Sequence, residues 1–210
     1  MTDLLRAEEL ALLLVRAKGG WQASKYDVAD ILAGALLGEL ADEEHIDRRV
    51  SADDFWGRRR VHTDGWEPPT DPSLARVWHV ADQGKGATTV QMAVAKFALD
   101  EVVGRLQARE LVSVTKRSVL GDKVELMDTT ARDAVRTRLR AIILDGVEPT
   151  DRDRSQLWLL HHTHQTVVLR DAFREHLTIH RFIRDLGRPE WPEKAAIDLV
   201  QGRAAAAASG

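Results

Sequence analysis

The chain has 210 residues, 44% hydrophobic and 30% charged, which is enough to bury a sizeable core in one domain. A formal net charge of −3 argues against a globally basic nucleic-acid binder, so any affinity for anions must come from a local basic face. There is no cysteine, which removes disulfide frameworks and thiolate metal sites, and no apolar run approaches the roughly 20 residues that span a bilayer.

In chain order, Thr2 or Asp3 is expected to cap a first helix, with Glu8 and Glu9 in its first two turns. Residues 10–15 form an unbroken apolar run, and Gly19-Gly20 is expected to end the helix. The acidic start, MTDLLRAEEL, is unlike a secretory signal, and the chain reads as cytoplasmic. A second helix over 26–42 places Val28, Ile31, Leu32, Ala35, Leu36 and Leu40 on one face. Gly34 and Gly38 within it each cost about 1 kcal/mol relative to alanine, so they predict close approach of another helix.

Residues 45–50 and 58–63 read as short strands. Arg58, Arg59 and Arg60 are the densest basic run, read either as a solvated strand edge or as part of a basic face. Residues 64–72 hold four breakers and form a loop, and Pro72 opens a helix to about residue 83. Gly84-Lys85-Gly86 lacks the spacing of a phosphate loop and reads as a linker. The next helix, 88–109, is apolar on two sides and is read as a central one, while the two apolar helices of residues 8–42 are the stretch the chain is organised around.

Residues 111–115 and 123–127 predict a β-hairpin with a basic, partly apolar tip. Helices are then expected over 130–145, from 150 or 151 to about 168, and over 173–186. A last helix from 193 runs into an Ala-rich tail, expected to be disordered from 204 to 210. Arg132, Arg136 and Arg140 stack at four-residue spacing on the first of these helices. The whole is read as all-α: a helical bundle core ringed by amphipathic helices and loops, one domain over 1–203, with one protruding hairpin.

Catalytic patterns are missing. His161, His162 and His164 crowd one segment and His176 and His180 lie four apart, but Leu177 follows His176, so no HExxH pattern exists. His161 and His164 are expected to share a face with Leu157, Leu160 and Val168 and to pack rather than bind metal. There is no nucleophile elbow and no Gly-rich dinucleotide motif. No metal, cofactor or enzymatic activity is expected; the alternative readings are a soluble scaffold or interaction protein without lipid affinity and, behind it, a small-molecule or metal-binding enzyme.

The order of EELALLLVRAKGG, LAGALLGELA, a long helix leading into a hairpin that ends LMDTT, then IILDG, LWLLHHTH and DAF resembles the Golgi phosphoprotein 3 family, here in a bacterial-type relative. The resemblance implies a non-enzymatic, reversibly peripheral membrane protein that binds phosphatidylinositol 4-phosphate and can act as an adaptor for a client protein. Of the family's pocket positions, Ser24 stands for a Trp, Ala33 and Leu99 stand for Arg, and Lys96 alone keeps a cation. Trp21 and Lys25 lie close in sequence to the lost positions, so Trp21, Lys25 and Lys96 form the candidate headgroup site, with an anionic, phosphoinositide-like lipid as partner. A pair between Lys96 and Asp100, and a cover over the Gly-Gly turn by Trp21, are the plainer readings of two of these residues. Lys116, Arg117, Val119 and Leu120 at the hairpin tip are expected to touch the membrane or a second copy of the chain.

Overall fold

Every residue from Arg6 to Val15 is buried, so the first helix, α1 (Arg6–Leu14), is enclosed on all sides. In the computed structural model, which describes residues 4–50, 59–63, 65–116, 123–171 and 175–209, it is enclosed by other helices. Those packed against it are α2 (Lys25–Asp42), α4 (Ala87–Ala108), α5 (Thr130–Asp145) and α6 (Asp151–His162), and α3 (Pro72–Ala81), α7 (Glu175–Asp185) and α8 (Trp191–Ala208) complete the described α-helices. Two antiparallel pairs complete the described elements, β1 (Asp47–Val50) with β2 (Arg59–His62), and β3 (Val112–Thr115) with β4 (Lys123–Leu126). The molecule is mainly α with small hairpin elements, as expected.

Burial of α1 includes its charges, and each is answered from another helix. Arg6 pairs with Asp42 of α2, donates to Ser155 Oγ of α6 at 2.9 Å and lies 3.5 Å from Glu193 of α8. Glu8 accepts from the Leu5 backbone N–H at 2.7 Å and lies 3.3 Å from both Arg105 and Arg109 of α4. Glu9 accepts from Arg138 of α5 at 2.8 Å, and from Arg152 and Gln156 of α6 at 3.2 and 2.6 Å. Burial works against the charged form of Glu9, but the Arg138 hydrogen bond and the Arg152 and Arg138 charges outweigh it and hold this carboxyl below its usual range. Glu193 goes the other way: burial dominates Ser155 and Arg6 and pushes its carboxyl up.

Helices α2 and α4 pack on each other at the centre, and α2 is the more enclosed of the two. Residues 30–40 of α2 are all buried, because Gly34 and Gly38 open the face away from the Val28–Leu40 stripe. A Cβ at Gly34 would stand 2.6 Å from the Ala196 Cβ of α8, and one at Gly38 would meet the Arg6–Glu193 pair. Helix α4 turns one face inward, through Val90, Val94, Ala98, Val102 and Leu106, and leaves Met92 53% exposed.

Several boundaries shift for physical reasons. Helix α1 stops at Leu14 rather than at the glycines, because Val15 is extended and bridges Trp21. Gly19 and Gly20, at φ +81° and +80°, form the tip of that loop, and the Gly20 N–H donates to the Val124 carbonyl of β4 at 2.7 Å. Leu5 occupies the N-cap position of α1 without a side-chain cap hydrogen bond, and Thr2 and Asp3 lie outside the described residues. Helix α6 ends at His162, before a left-handed His164 and a 3-10 turn over Thr166–Leu169. His164 therefore does not share a helix face with His161. Residues 204–208, expected as disordered tail, continue α8, which suits alanine's helix propensity. The arginine column of α5 is engaged: Arg132 with Asp133, Arg136 with Asp171 and the Val168 carbonyl, and Arg140 with Glu175.

The two helical glycines at positions 34 and 104 should respond oppositely to alanine. Nothing lies within 4 Å of a Cβ at exposed Gly104, so Gly104→Ala should gain up to about 1 kcal/mol. Gly34→Ala must push α8 away and should lose about 1–3 kcal/mol. Denaturant unfolding of both variants checks this; equal effects would mean that α2 and α8 do not touch at Gly34.

Candidate functional site

A cleft of about 420 Å³ opens where the start of α2, the middle of α4 and the end of α8 meet. The first turns of α2 supply Lys25, Tyr26, Ala29 and Asp30. Helix α4 supplies Met92, Ala95, Lys96, Leu99 and Asp100, a stripe at helical spacing. Helix α8 supplies Arg203. Ser24 sets the position of Lys25, because its hydroxyl accepts the Asp27 N–H at 3.1 Å and starts the helix there. The Gln91 amide of α4 donates to the Asp30 carbonyl at 2.7 Å and ties the two walls together.

Two of the three residues read from the sequence meet here. Lys25 and Lys96 are exposed, line the same cleft, and among the described residues make no hydrogen bond or ion pair. The plainer reading of Lys96, a pair with Asp100, is not realised. Trp21 is elsewhere: it is 8% exposed, pairs with Val15 and belongs to the core, as a cover for the Gly-Gly loop would. Of the family pocket positions that depart from the pattern, Leu99 lines the cleft and Ala33 is buried.

Arg203 was not visible as a site residue in the sequence. It donates to the Tyr26 carbonyl at 3.1 Å and pairs with Asp27 at 3.3 Å and with Asp30. Burial pushes the Asp30 carboxyl up, aided by Asp27 and only partly offset by Arg203. The lining thus carries Lys25, Lys96 and Arg203 against Asp30 and Asp100. At its rim Tyr26 is 76% exposed, beside the half-exposed Met92.

The other basic candidates sit apart. Arg59 and Arg60 are exposed on β2, where Arg60 bridges Gly86 just before α4 begins. Strand β3 starts just after α4 ends, and the 22 residues of α4 span about 33 Å, so β2 and the hairpin are anchored at opposite ends of that helix. Lys116 is exposed at the end of β3; Arg58, Arg117, Val119 and Leu120 lie outside the described residues.

The histidines form a ring cluster between α6 and α7. Centroids of His161 and His180 lie 4.6 Å apart, and those of His176 and His180 4.1 Å apart. Among the described residues no group of three or more His, Asp or Glu side chains is placed to hold a metal ion. Burial, then the neighbouring imidazoles, lowers the His161 pKa to about 4. Its unfolded value is near 6.5, so the unfolded chain takes up the proton first. This residue's contribution to stability should therefore be intact above about pH 6.5 and lost as pH falls toward about 4. A Tm series over that range should slope less steeply in His161→Leu than in the parent; parallel curves would mean that His161 titrates normally.

No curated protein matches the chain significantly. Residues 7–202 match the family described as Golgi phosphoprotein 3 (GPP34), nearly the whole length and all eight helices in part or in full. The chain belongs to the Golgi phosphoprotein 3 (GPP34) family.

Proposed function

We propose that the protein attaches reversibly to anionic membranes by taking a phosphate-bearing lipid headgroup, of the phosphatidylinositol 4-phosphate type, into the cleft between α2, α4 and α8. The observation that carries this reading is the pair Lys25 and Lys96, which face one cleft with no carboxylate partner among the described residues. Unpaired cations across a cleft hold an anion as two point charges, although lysine lacks the bidentate fork of arginine. Arg203 supplies that fork if an incoming phosphate competes with Asp27 and Asp30 for it. Tyr26 and Met92 at the rim suit the boundary between headgroup and acyl chains.

Family membership supports a lipid-binding adaptor rather than an enzyme. Among the described residues no helix is long and apolar enough to cross a membrane, which fits peripheral attachment. The hairpin, with Lys116 exposed at the end of β3 and Arg117, Val119 and Leu120 following it in sequence, is the second membrane contact in this reading, or the contact between two copies. A client protein would be held on a surface left free by the cleft.

Vesicle co-sedimentation tests the proposal. Each cation near an anionic leaflet is worth about 1 kcal/mol, so Lys25→Ser with Lys96→Ser should weaken binding about thirtyfold. Binding should also fall steeply as salt rises from about 0.1 M to about 1 M, and be negligible on phosphatidylcholine alone. Equal, salt-insensitive binding to neutral vesicles would mean insertion by apolar residues instead. No binding to either would leave a scaffold protein without lipid affinity.

A further inference from the structure

Away from that cleft, a second cavity of about 330 Å³ lies at the junction of α6 and α7. It is lined by His161, Leu177, His180, Arg181 and Arg184, with no carboxylate among them. His161 comes from the last turn of α6. The others are one stripe of α7, since Leu177, His180, Arg181 and Arg184 follow each other at helical spacing.

The polar groups of this cavity are short of partners. His161 Nδ1 and His180 Nε2 are buried without a hydrogen bond. Arg181 has no hydrogen bond or ion pair among the described residues, and Arg184 reaches only its neighbour Asp185, at 3.3 Å, with both side chains mostly exposed. Buried ring nitrogens without partners are costly and uncommon, and a missing ligand is one reason for them. A metal cation does not fit: two guanidinium groups would repel it, and no metal-holding group exists among the described residues. An anion suits the charge of this lining. Protonated imidazoles donate from both nitrogens, and the two guanidinium groups add forks that match oxyanion geometry.

We propose that the α6–α7 junction is a second anion site, in which His161, His180, Arg181 and Arg184 close on a dianion of the phosphate or sulfate class, and that the histidines take up protons as it binds. The coupling follows from the surroundings. His162, His164 and His176 crowd the same rings, Arg170 bears on His180, and Lys194 bears on His162. The nearby carboxylates are committed, Glu175 to Arg140 and Asp185 to Arg184. Burial, and then the neighbouring imidazoles, favour the neutral forms of His161 and His180 when the site is empty. A dianion supplies the missing negative charge and favours the imidazolium form. The cavity is larger than one oxyanion, leaving room for the group that carries it, and Leu177, 75% exposed, stands at its edge.

Sulfate is the cleanest probe, because its charge does not change over the range where histidine titrates. The full chain, with Lys25→Ser and Lys96→Ser removing the first cleft, is titrated with sulfate while the histidine ring resonances are followed by NMR. The His161 and His180 rings should shift saturably, and affinity should rise about tenfold for each pH unit lowered, up to about a hundredfold from about pH 7.5 to about pH 5.5, for one proton taken up. Arg181→Ala with Arg184→Ala, both exposed positions that leave the packed rings in place, should weaken it at least about tenfold. Vesicles then separate two sources of the anion. Acid-dependent binding to phosphatidic acid vesicles that the arginine changes abolish assigns a lipid headgroup, while sulfate binding without vesicle binding assigns a soluble phosphate ester. Ring shifts that are absent at about pH 5.5, that do not depend on pH, or that keep their midpoint without the two arginines would overturn the site. Because the first cleft is already disabled in this chain, such a failure says nothing against the headgroup proposal, and the reverse also holds.

Discussion

Three charged side chains on one nine-residue helix are buried, and the arrangement of the bundle follows from how they are answered. Arg6 needs α2, α6 and α8; Glu8 needs α4; Glu9 needs α5 and α6. Replacing such groups by hydrophobic residues is often neutral or stabilising, so their value need not be net stability. Losing one partner is the expensive event, since it strands a buried charge. The consequence is register. A slip of α1 by one residue would turn all three charges away from the helices that meet them, so the clasp fixes where α2, α4, α5, α6 and α8 stand around α1.

The cleft inherits its walls from that arrangement. Arg6 and Glu39 hold the C-terminal half of α2, and Gly34 lets α8 lie directly on it. Helix α8, which starts beside the Arg6–Glu193 pair, then ends beside the start of α2, where Arg203 reaches Asp27 and Asp30. On the other side, Gln91 pins α4 to the Asp30 carbonyl. Lys25 and Lys96 are thus held on backbones that the buried charges position, while their own ammonium groups remain in water. A rigid frame with mobile, solvated cations is a suitable arrangement for reversible electrostatic contact with a charged surface.

What the sequence made legible was mostly local. The helices, the hairpin strands, the Pro72 start and the Gly146 end follow from periodicity and capping chemistry, which act over a few residues. The order of motifs also identified the family. Periodicity could not rank α2 and α4 by centrality, because a stripe of apolar residues says which face is buried and not whether the opposite face is buried too. Gly34 and Gly38 carried that information, and the close approach they predicted is to α8 and the Arg6–Glu193 pair. Lys96 came from the family alignment, whereas Lys25 and Trp21 were chosen by proximity in sequence; Lys25 lines the cleft, and Trp21 went to the core, where a large apolar ring is better buried. Arg203 and the α6–α7 cavity depend on contacts between segments that are far apart in the chain, and no short-range pattern reports those.

The central claim is that the α2–α4–α8 cleft receives a phosphate-bearing headgroup. The most direct measurement is an NMR titration of the protein with glycerophosphoinositol 4-phosphate, the water-soluble headgroup, read at assigned backbone amides and lysine side chains. Saturable shifts are expected at Lys25, Tyr26, Lys96 and Arg203, with the amides of α5 unmoved. Shifts that are absent, or that leave those four residues untouched and gather on another face, would contradict that claim.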